Sequence, residues 1–249
     1  MQYLTGRQEF WGLDFEVSPA VLIPRPETEH LIEVALERLG ARRAETLVIA
    51  DVGTGSGCIA VALARELPQA RFVATDISAE ALEVARRNAV RHGVAHRVGF
   101  LEADLLDLGG LPVAQVLPPS FGGEPEAPSQ ATGPDPSRWF SRPEAFDLIV
   151  SNPPYVARDE AAQLQREVRD HEPEIALFGG PTGVEIYGRL IGQAASLLRP
   201  GGQLVLELGY NAADHVRSLL AAQPGWVGMS VTSDLAGIPR VLAAARVSA

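Results

Sequence analysis

An apolar run, Leu47-Val48-Ile49-Ala50-Asp51-Val52, leads straight into Gly53-Thr54-Gly55-Ser56-Gly57. Residues of helical period then run from Ile59 to Leu67, where Pro68 stops them. This strand, glycine loop and helix constrain the chain more than any other stretch. The run is too uniformly apolar for a strand with a wet face, so it reads as a buried strand. Three glycines in five residues let the backbone turn sharply and pass close to a ligand. The helix start that follows offers unpaired N–H groups, which suit a phosphate or an amino-acid carboxylate.

The same alternation continues along the chain. Phe72–Asp76 reads as a second strand, and Ser78 is a good N-cap for a helix from Ala79 to His92 that closes at Gly93. Val98–Asp104, Phe146–Val150 and Gln203–Leu208 make three more strands, with helices predicted at 183–198 and 212–222. Strands and helices of these lengths in alternation imply a parallel sheet with right-handed crossovers. Val227–Thr232 and Val241–Arg246 flank Asp234-Leu235-Ala236-Gly237 with no helix between them, which predicts an antiparallel pair at one sheet edge. The predicted fold class is α/β: a Rossmann-like, mostly parallel seven-stranded sheet of the methyltransferase type. Ahead of it, residues 9–23 alternate around Gly12 and Ser18-Pro19 as a β-hairpin would. Pro24-Arg25-Pro26-Glu27-Thr28-Glu29 then opens a helix with its apolar side at Leu31, Ile32, Val34, Ala35, Leu36 and Leu39, stopping at Gly40. The predicted organisation is a linker and hairpin over 1–25 and a catalytic domain over 26–249. Residues 112–143, rich in Pro and Gly without a sustained period, are expected to be a disordered insertion.

Composition narrows the function classes. At 249 residues and 46% hydrophobic, one large α/β domain is affordable, and a net charge of −10 argues against a nucleic-acid surface over much of the protein. Cys58 is the only cysteine, so an internal disulfide and a cysteine metal cluster are excluded. The histidines lie on separate elements without i, i+4 spacing, and no metal is expected. A signal pattern and a long apolar run are both lacking, which predicts a cytoplasmic protein without membrane contact.

The cofactor half of a site is written at the strand ends. Asp76 ends the second strand, where a carboxylate can accept from both hydroxyls of a ribose. Ile77 follows it, and Asp104 with Leu105 ends the third strand, toward an adenine. The expected cofactor set is Asp51, Gly53, Thr54, Gly55, Ser56, Gly57, Asp76, Ile77, Asp104, Leu105 and Asn152. Gly55-Ser56-Gly57-Cys58-Ile59-Ala60 also satisfies the G-x-G-x-x-G/A pattern, so a nicotinamide cofactor fits the loop taken alone. Asp51 two residues before Gly53, the Gly-x-Gly-x-Gly spacing and the terminal antiparallel pair favour S-adenosylmethionine.

The acceptor half is Ser151-Asn152-Pro153-Pro154-Tyr155, at the end of the fourth strand. Two prolines forbid both further sheet pairing and an immediate helix, so the chain stops in a stiff extended corner. An amide, exposed carbonyls and an aromatic ring on such a corner can hold a small, polar, planar group. The Gly201-Gly202-Gln203 triplet, by contrast, reads as a Pro-Gly-Gly turn entering the fifth strand.

With both corners in view, the chain resembles the PrmC/HemK family, protein-glutamine methyltransferases that modify the GGQ glutamine of peptide-chain release factors. The matching pieces are Tyr3-Leu4-Thr5-Gly6-x-x-Glu9-Phe10-Trp11-Gly12, Ile23 through Glu29, Asp51 through Gly57, Asp76, Ser151 through Tyr155, and Asp234 through Gly237. The resemblance implies S-adenosylmethionine as methyl donor and release factors as protein substrates, without direct nucleic-acid binding. It assigns catalysis to Asn152, Pro153 and Tyr155: the Asn152 side-chain carbonyl and the Pro153 backbone carbonyl accept the two amide hydrogens, and Tyr155 lies against the amide plane. Pro154, Arg25 and Glu27 join them as expected substrate contacts. Asn-Pro-Pro-Tyr alone is shared with adenine and guanine amino-methyltransferases acting on nucleic acids, which is the alternative reading; a non-catalytic module that binds the methyl donor is another. Family members usually carry an N-terminal helical domain that helps grip the release factor, and this sequence is expected to lack it.

Overall fold

In the computed structural model, residues 5–109, 113, 117 and 146–247 are described. Tyr3, Leu4 and nearly all of the expected insertion at 112–143 lie outside them. The two insertion residues that are described, Val113 and Leu117, are buried core residues joined by an i, i+4 backbone hydrogen bond of 3.1 Å. Their apolar side chains at helical spacing carry the packed domain further into that stretch than proline content suggested.

The chain opens with a hairpin, β1 (Arg7–Phe10) and β2 (Leu13–Glu16). Its two-residue turn, Trp11-Gly12, has φ of 55° and 67°, the mirror-image geometry that matches strand twist. Val21–Ile23 does not extend this hairpin; it runs on as irregular chain beside the site described below. Helix α1 (Glu29–Leu39) follows a 3-10 turn at Pro26–Thr28 and stops at Gly40, whose φ is 52°. Then come β3 (Val48–Val52), α2 (Cys58–Glu66), β4 (Arg71–Asp76), α3 (Ala79–Arg91) and β5 (Val98–Glu102). Ser78 caps α3 by accepting from the Ala81 N–H at 3.1 Å.

After β6 (Phe146–Ser151) the chain makes a small parallel pair, β7 (Val156–Ala157) with β8 (Phe178–Gly180), separated by a 3-10 stretch at Arg158–Gln163 and the short helices α4 (Arg166–His171) and α5 (Glu174–Leu177). Helix α6 (Glu185–Leu197), β9 (Leu198–Glu207), α7 (Ala213–Ala221), β10 (Trp226–Ser233) and β11 (Pro239–Arg246) complete the fold.

The main sheet has seven strands in the order β10-β11-β9-β6-β3-β4-β5. Pairing is parallel from β9 to β5, and β11 is antiparallel to both β9 and β10. Alternate residues of each strand feed opposite faces. Ile49, Leu148 and Val205 pack with α1, α2 and α3, while Val48, Ile149 and Leu204 pack with α6 and α7. Phe10 and Phe15 are buried in the first of these clusters, so the hairpin is bonded into the core of the domain. Gly201-Gly202-Gln203 lies early in β9, at the opposite end of that strand from Glu207. Among the described residues no helix is long and apolar enough to cross a membrane.

Candidate active site

Strand β3 is the point where the sheet order reverses: the chain goes from β3 to β4 and β5 on one side, then returns to β6 and β9 on the other. Loops leaving β3 and β6 therefore diverge and leave a crevice at the carboxyl edge. A cavity of about 260 Å³ fills it. Its walls include Gly53, Thr54, Gly55, Ser56, Asp76 and Ile77 on one side, Asp104 and Leu105 at one end, and Arg25, Asn152 and Pro154 on the other side.

Asp51 stands behind this wall, fully buried. Its Oδ2 accepts from Thr54 Oγ1 at 2.6 Å and from the Ala60 N–H at 3.0 Å, so it ties the glycine loop to the first turn of α2. Burial pushes its carboxyl up to about 7. Gly53 and Gly55 adopt φ of 69° and 53° in the cavity wall, a conformation that side-chain-bearing residues resist. Gly57 is not in that wall; a Cβ there would sit 3.0 Å from the Ala85 side chain, so this glycine lets α2 approach α3. Asp76 accepts one backbone N–H on each oxygen, from Gly55 and from Ser78, both at 2.9 Å. A carboxylate has about four acceptor positions, so both oxygens keep capacity for a diol. Burial also raises its pKa.

The loop after β5 is held from three sides. Thr75 Oγ1 donates to the Leu105 carbonyl at 2.7 Å, Gln193 Oε1 accepts from the Leu106 N–H at 2.9 Å, and Arg189 pairs with Asp104 at 2.6 Å. Leu105 is held there at φ 59°, a strained conformation for a branched residue. Asp104 lies in this loop, two residues past the end of β5, where the sequence placed it inside the strand. Ile77, half exposed, faces the same end of the cavity. Together the strand ends offer apolar walls and acceptors.

On the other side, Ser151 Oγ donates to the Val52 carbonyl at 2.7 Å and binds the end of β6 to β3. Asn152 Nδ2 donates to Thr28 Oγ1 at 3.2 Å. Pro153 is buried behind the wall, and Pro154 is in it. Tyr155 is outside the cavity wall, with its ring against Gly209: an ideal Cβ on Gly209 would lie 2.6 Å from Tyr155 Cδ2. Glycines 179 and 183 are pressed just as closely onto the carbonyls of Pro154 and Tyr155. Tyr187, fully buried, donates its hydroxyl to the Glu207 carbonyl at 2.9 Å and accepts from the Gly209 N–H at 3.1 Å, which fixes the turn that carries Gly209. Burial raises the Tyr155 phenol well above its ordinary range. Arg25 pairs at 2.5 Å with Glu172, whose carboxylate is almost wholly buried. That pair joins the segment ahead of α1 to the one carrying Ile175 and Phe178, which line the cavity. Glu27 is not in the wall and does not pair with Arg25; burial raises the Glu207 carboxyl, and the charge of Glu27 adds to that rise.

A methyltransferase domain model matches residues 44–231. The chain is 46% identical over 241 residues to the release factor glutamine methyltransferase of Koribacter versatilis, covering 97% of this chain and 72% of that protein. The chain belongs to the release factor glutamine methyltransferase family. Its relative of that name in Chlorobaculum tepidum is also 46% identical, over 89% of this chain and 67% of the other. Among solved structures, a methyltransferase from Pyrococcus furiosus matches with a TM-score of 0.57 at 19% identity, covering 95% of this chain and 90% of that one. At that identity the likeness is one of fold, and the fold is the S-adenosylmethionine-dependent methyltransferase type.

In this member of the release factor glutamine methyltransferase family, the glycine loop, Asp76, Ile77, Asp104, Leu105, Asn152, Pro154 and Arg25 converge on one cavity. Asp51, Gly57, Pro153, Tyr155 and Glu27 stand behind or beside it. Sequence reasoning missed Thr28, Glu207, Glu172 and the glycines at 179, 183 and 209. The signals for any of them were a carboxylate at the end of an apolar strand, Val205-Leu206-Glu207-Leu208, and the place of Thr28 within the matching piece Ile23 through Glu29.

Proposed function

We propose that this chain transfers a methyl group from S-adenosylmethionine to the side-chain amide nitrogen of the glutamine in the GGQ motif of peptide-chain release factors. The single observation that carries the reading is the placement of Asn152 on the same 260 Å³ cavity as Gly53, Gly55 and Asp76, in a chain 46% identical to relatives bearing that activity in their name. Acting on release factors puts its work in the cytoplasm. Residues 26–249 are the catalytic unit, and the hairpin ahead of it contributes Phe10 and Phe15 to its core.

The cavity fits the cofactor in chemistry. Asp76 keeps free acceptor positions for the ribose, Ile77 and Leu105 offer apolar surface to the adenine, and the glycine loop leaves room for the amino-acid end. When bound, S-adenosylmethionine supplies a methyl group made electrophilic by its sulfonium sulfur. The chain's task is to make a poor nucleophile competent, because an amide lone pair is delocalised into its carbonyl. Asn152 Oδ1 and the Pro153 carbonyl accept the two N–H groups of the glutamine, which aims the nitrogen and favours the positive charge growing on it. Tyr155, braced by Gly209, supports the amide plane. Once the new bond forms the nitrogen is strongly acidic and passes its extra proton to water, so no side chain has to act as a strong base.

The test uses a release factor, a second copy of it with the GGQ glutamine replaced by glutamate, and S-adenosylmethionine labelled in its methyl group. Label should enter the first protein and not the second. Label in RNA or DNA with none in the release factor would overturn the reading in favour of a nucleic-acid amino-methyltransferase.

A further inference from the structure

Glu207 is the last residue of β9, 3% exposed, and its Oε2 has no hydrogen-bond partner among the described residues. A carboxylate in such a place is costly, and an apolar residue of similar size would serve packing better. The Thr28 side chain is the hydrogen-bonding neighbour of this carboxyl and holds it lower than burial alone would. Thr28 is itself buried, and its Oγ1 accepts from Asn152 Nδ2. Three elements distant in sequence thus form one chain, from carboxylate to hydroxyl to amide.

With Glu207 ionised, the direction of that chain is forced. An ionised carboxylate can only accept, so the Thr28 hydroxyl must spend its proton on Glu207. Its oxygen is then left to accept, and Asn152 must present its NH₂ to it. The two ends of an asparagine amide have nearly the same shape, so packing alone does not choose between them. We infer that Glu207, acting through Thr28, is the positioning residue that holds the Asn152 amide with its carbonyl turned toward the acceptor nitrogen. In the reversed orientation an NH₂ would face the NH₂ of the substrate, donor against donor.

The inference rests on the proposed function and adds a pH readout to it. A protonated Glu207 can donate to Thr28, which frees the threonine proton to face Asn152 Oδ1 and turn the amide over. Burial pushes the Glu207 carboxyl up to about 7; the charge of Glu27 raises it, and Arg240 and Arg25 lower it. Tyr155 also faces it, as a phenol that stays neutral in this range. Activity should therefore fall as pH drops through about 7. Asp51 titrates in the same window and has to be separated.

The experiment measures kcat and KM for a release factor, and S-adenosylmethionine affinity by calorimetry, in wild type, Thr28→Val, Thr28→Ser, Glu207→Gln and Asp51→Asn. Thr28→Val should lose between about tenfold and about a hundredfold in kcat, the range a misoriented contact costs, with cofactor affinity kept within about threefold. Thr28→Ser keeps the hydroxyl and should recover kcat to within about threefold of wild type. The acid limb should vanish in Glu207→Gln and persist in Asp51→Asn. Full kcat in Thr28→Val, or an acid limb unchanged in Glu207→Gln, overturns the inference alone. A wild-type protein that fails to methylate the release factor overturns the proposed function and this inference with it.

Discussion

Replacing Gly209 with alanine tests the acceptor corner through a single methyl group. The new Cβ would lie 2.6 Å from Tyr155 Cδ2, 2.9 Å from Cγ and 3.2 Å from Cβ. Carbon–carbon contacts settle near 3.5–4.0 Å, so the ring must retreat by roughly 1 Å. Gly209 is not in the left-handed region, so alanine adds no backbone strain and the effect is steric alone. Tyr155 has little freedom to yield, because its own carbonyl and that of Pro154 are already pressed against Gly183 and Gly179. The displacement passes into Asn152-Pro153-Pro154-Tyr155. Overpacking of this kind costs about 1–3 kcal/mol of stability, and a displacement near 1 Å at a positioning group costs about a hundredfold in rate. Tyr155 does not line the cavity, so cofactor affinity should stay unchanged. Initial rates on a release factor, calorimetry with S-adenosylmethionine and thermal denaturation read the three quantities separately. Gly192→Ala is the control: its Cβ would meet nothing closer than 3.8 Å, inside α6, where alanine should stabilise by up to about 1 kcal/mol. Gly209→Ala with wild-type kcat would refute the claim that the glycine clamps set the geometry of the corner.

Three further outcomes follow from the same contacts. Asp76→Ala should weaken S-adenosylmethionine binding by about 1.5–3 kcal/mol, the worth of hydrogen bonds to a charged group, as read by calorimetry. Arg25→Ala leaves Glu172 buried without its cation; because Arg25 is about one-third exposed, the loss should be near 1–3 kcal/mol in denaturant unfolding, and adding Glu172→Gln should recover part of it. Glu207 has a folded pKa of about 7, above its ordinary 4.5, so the folded state binds the extra proton and this residue's contribution to stability falls as pH rises from about 4.5 to about 7. Glu207→Gln should match wild type near pH 4.5 and exceed it at pH 8 by at most roughly 3 kcal/mol, and an equal gap at both pH values would contradict this.

The legible part of the site is the part encoded by local period. Asp51 through Gly57 and Asp76 sit where an apolar strand gives way to a loop, and a strand end in a parallel sheet is an address in itself. The Asn152 corner was legible because two prolines leave the backbone few options. The mostly parallel seven-stranded sheet with its antiparallel edge pair followed from alternation plus one missing helix near the C-terminus; the order of its strands did not. What stayed hidden was set by tertiary contact. Thr28 meets Asn152 across 124 positions of sequence, and Glu207 meets Thr28 across an even longer span. The clamping glycines do their work through atoms that belong to other loops. Strands β7 and β8 are two and three residues long, too short to show a period. Val21–Ile23 alternates like a strand but runs as irregular chain, with Val21 and Leu22 in the cavity wall.

The central claim is that the amide nitrogen of one glutamine is the acceptor, held by the Asn152 carbonyl. Tandem mass spectrometry of a release factor incubated with this protein and S-adenosylmethionine tests it most directly. The account predicts one added CH₂ on the side-chain nitrogen of the GGQ glutamine, and its loss when Asn152→Ala replaces the wild type while cofactor binding persists. A release factor left unmodified, a methyl group on any other residue, or undiminished transfer by Asn152→Ala would contradict it.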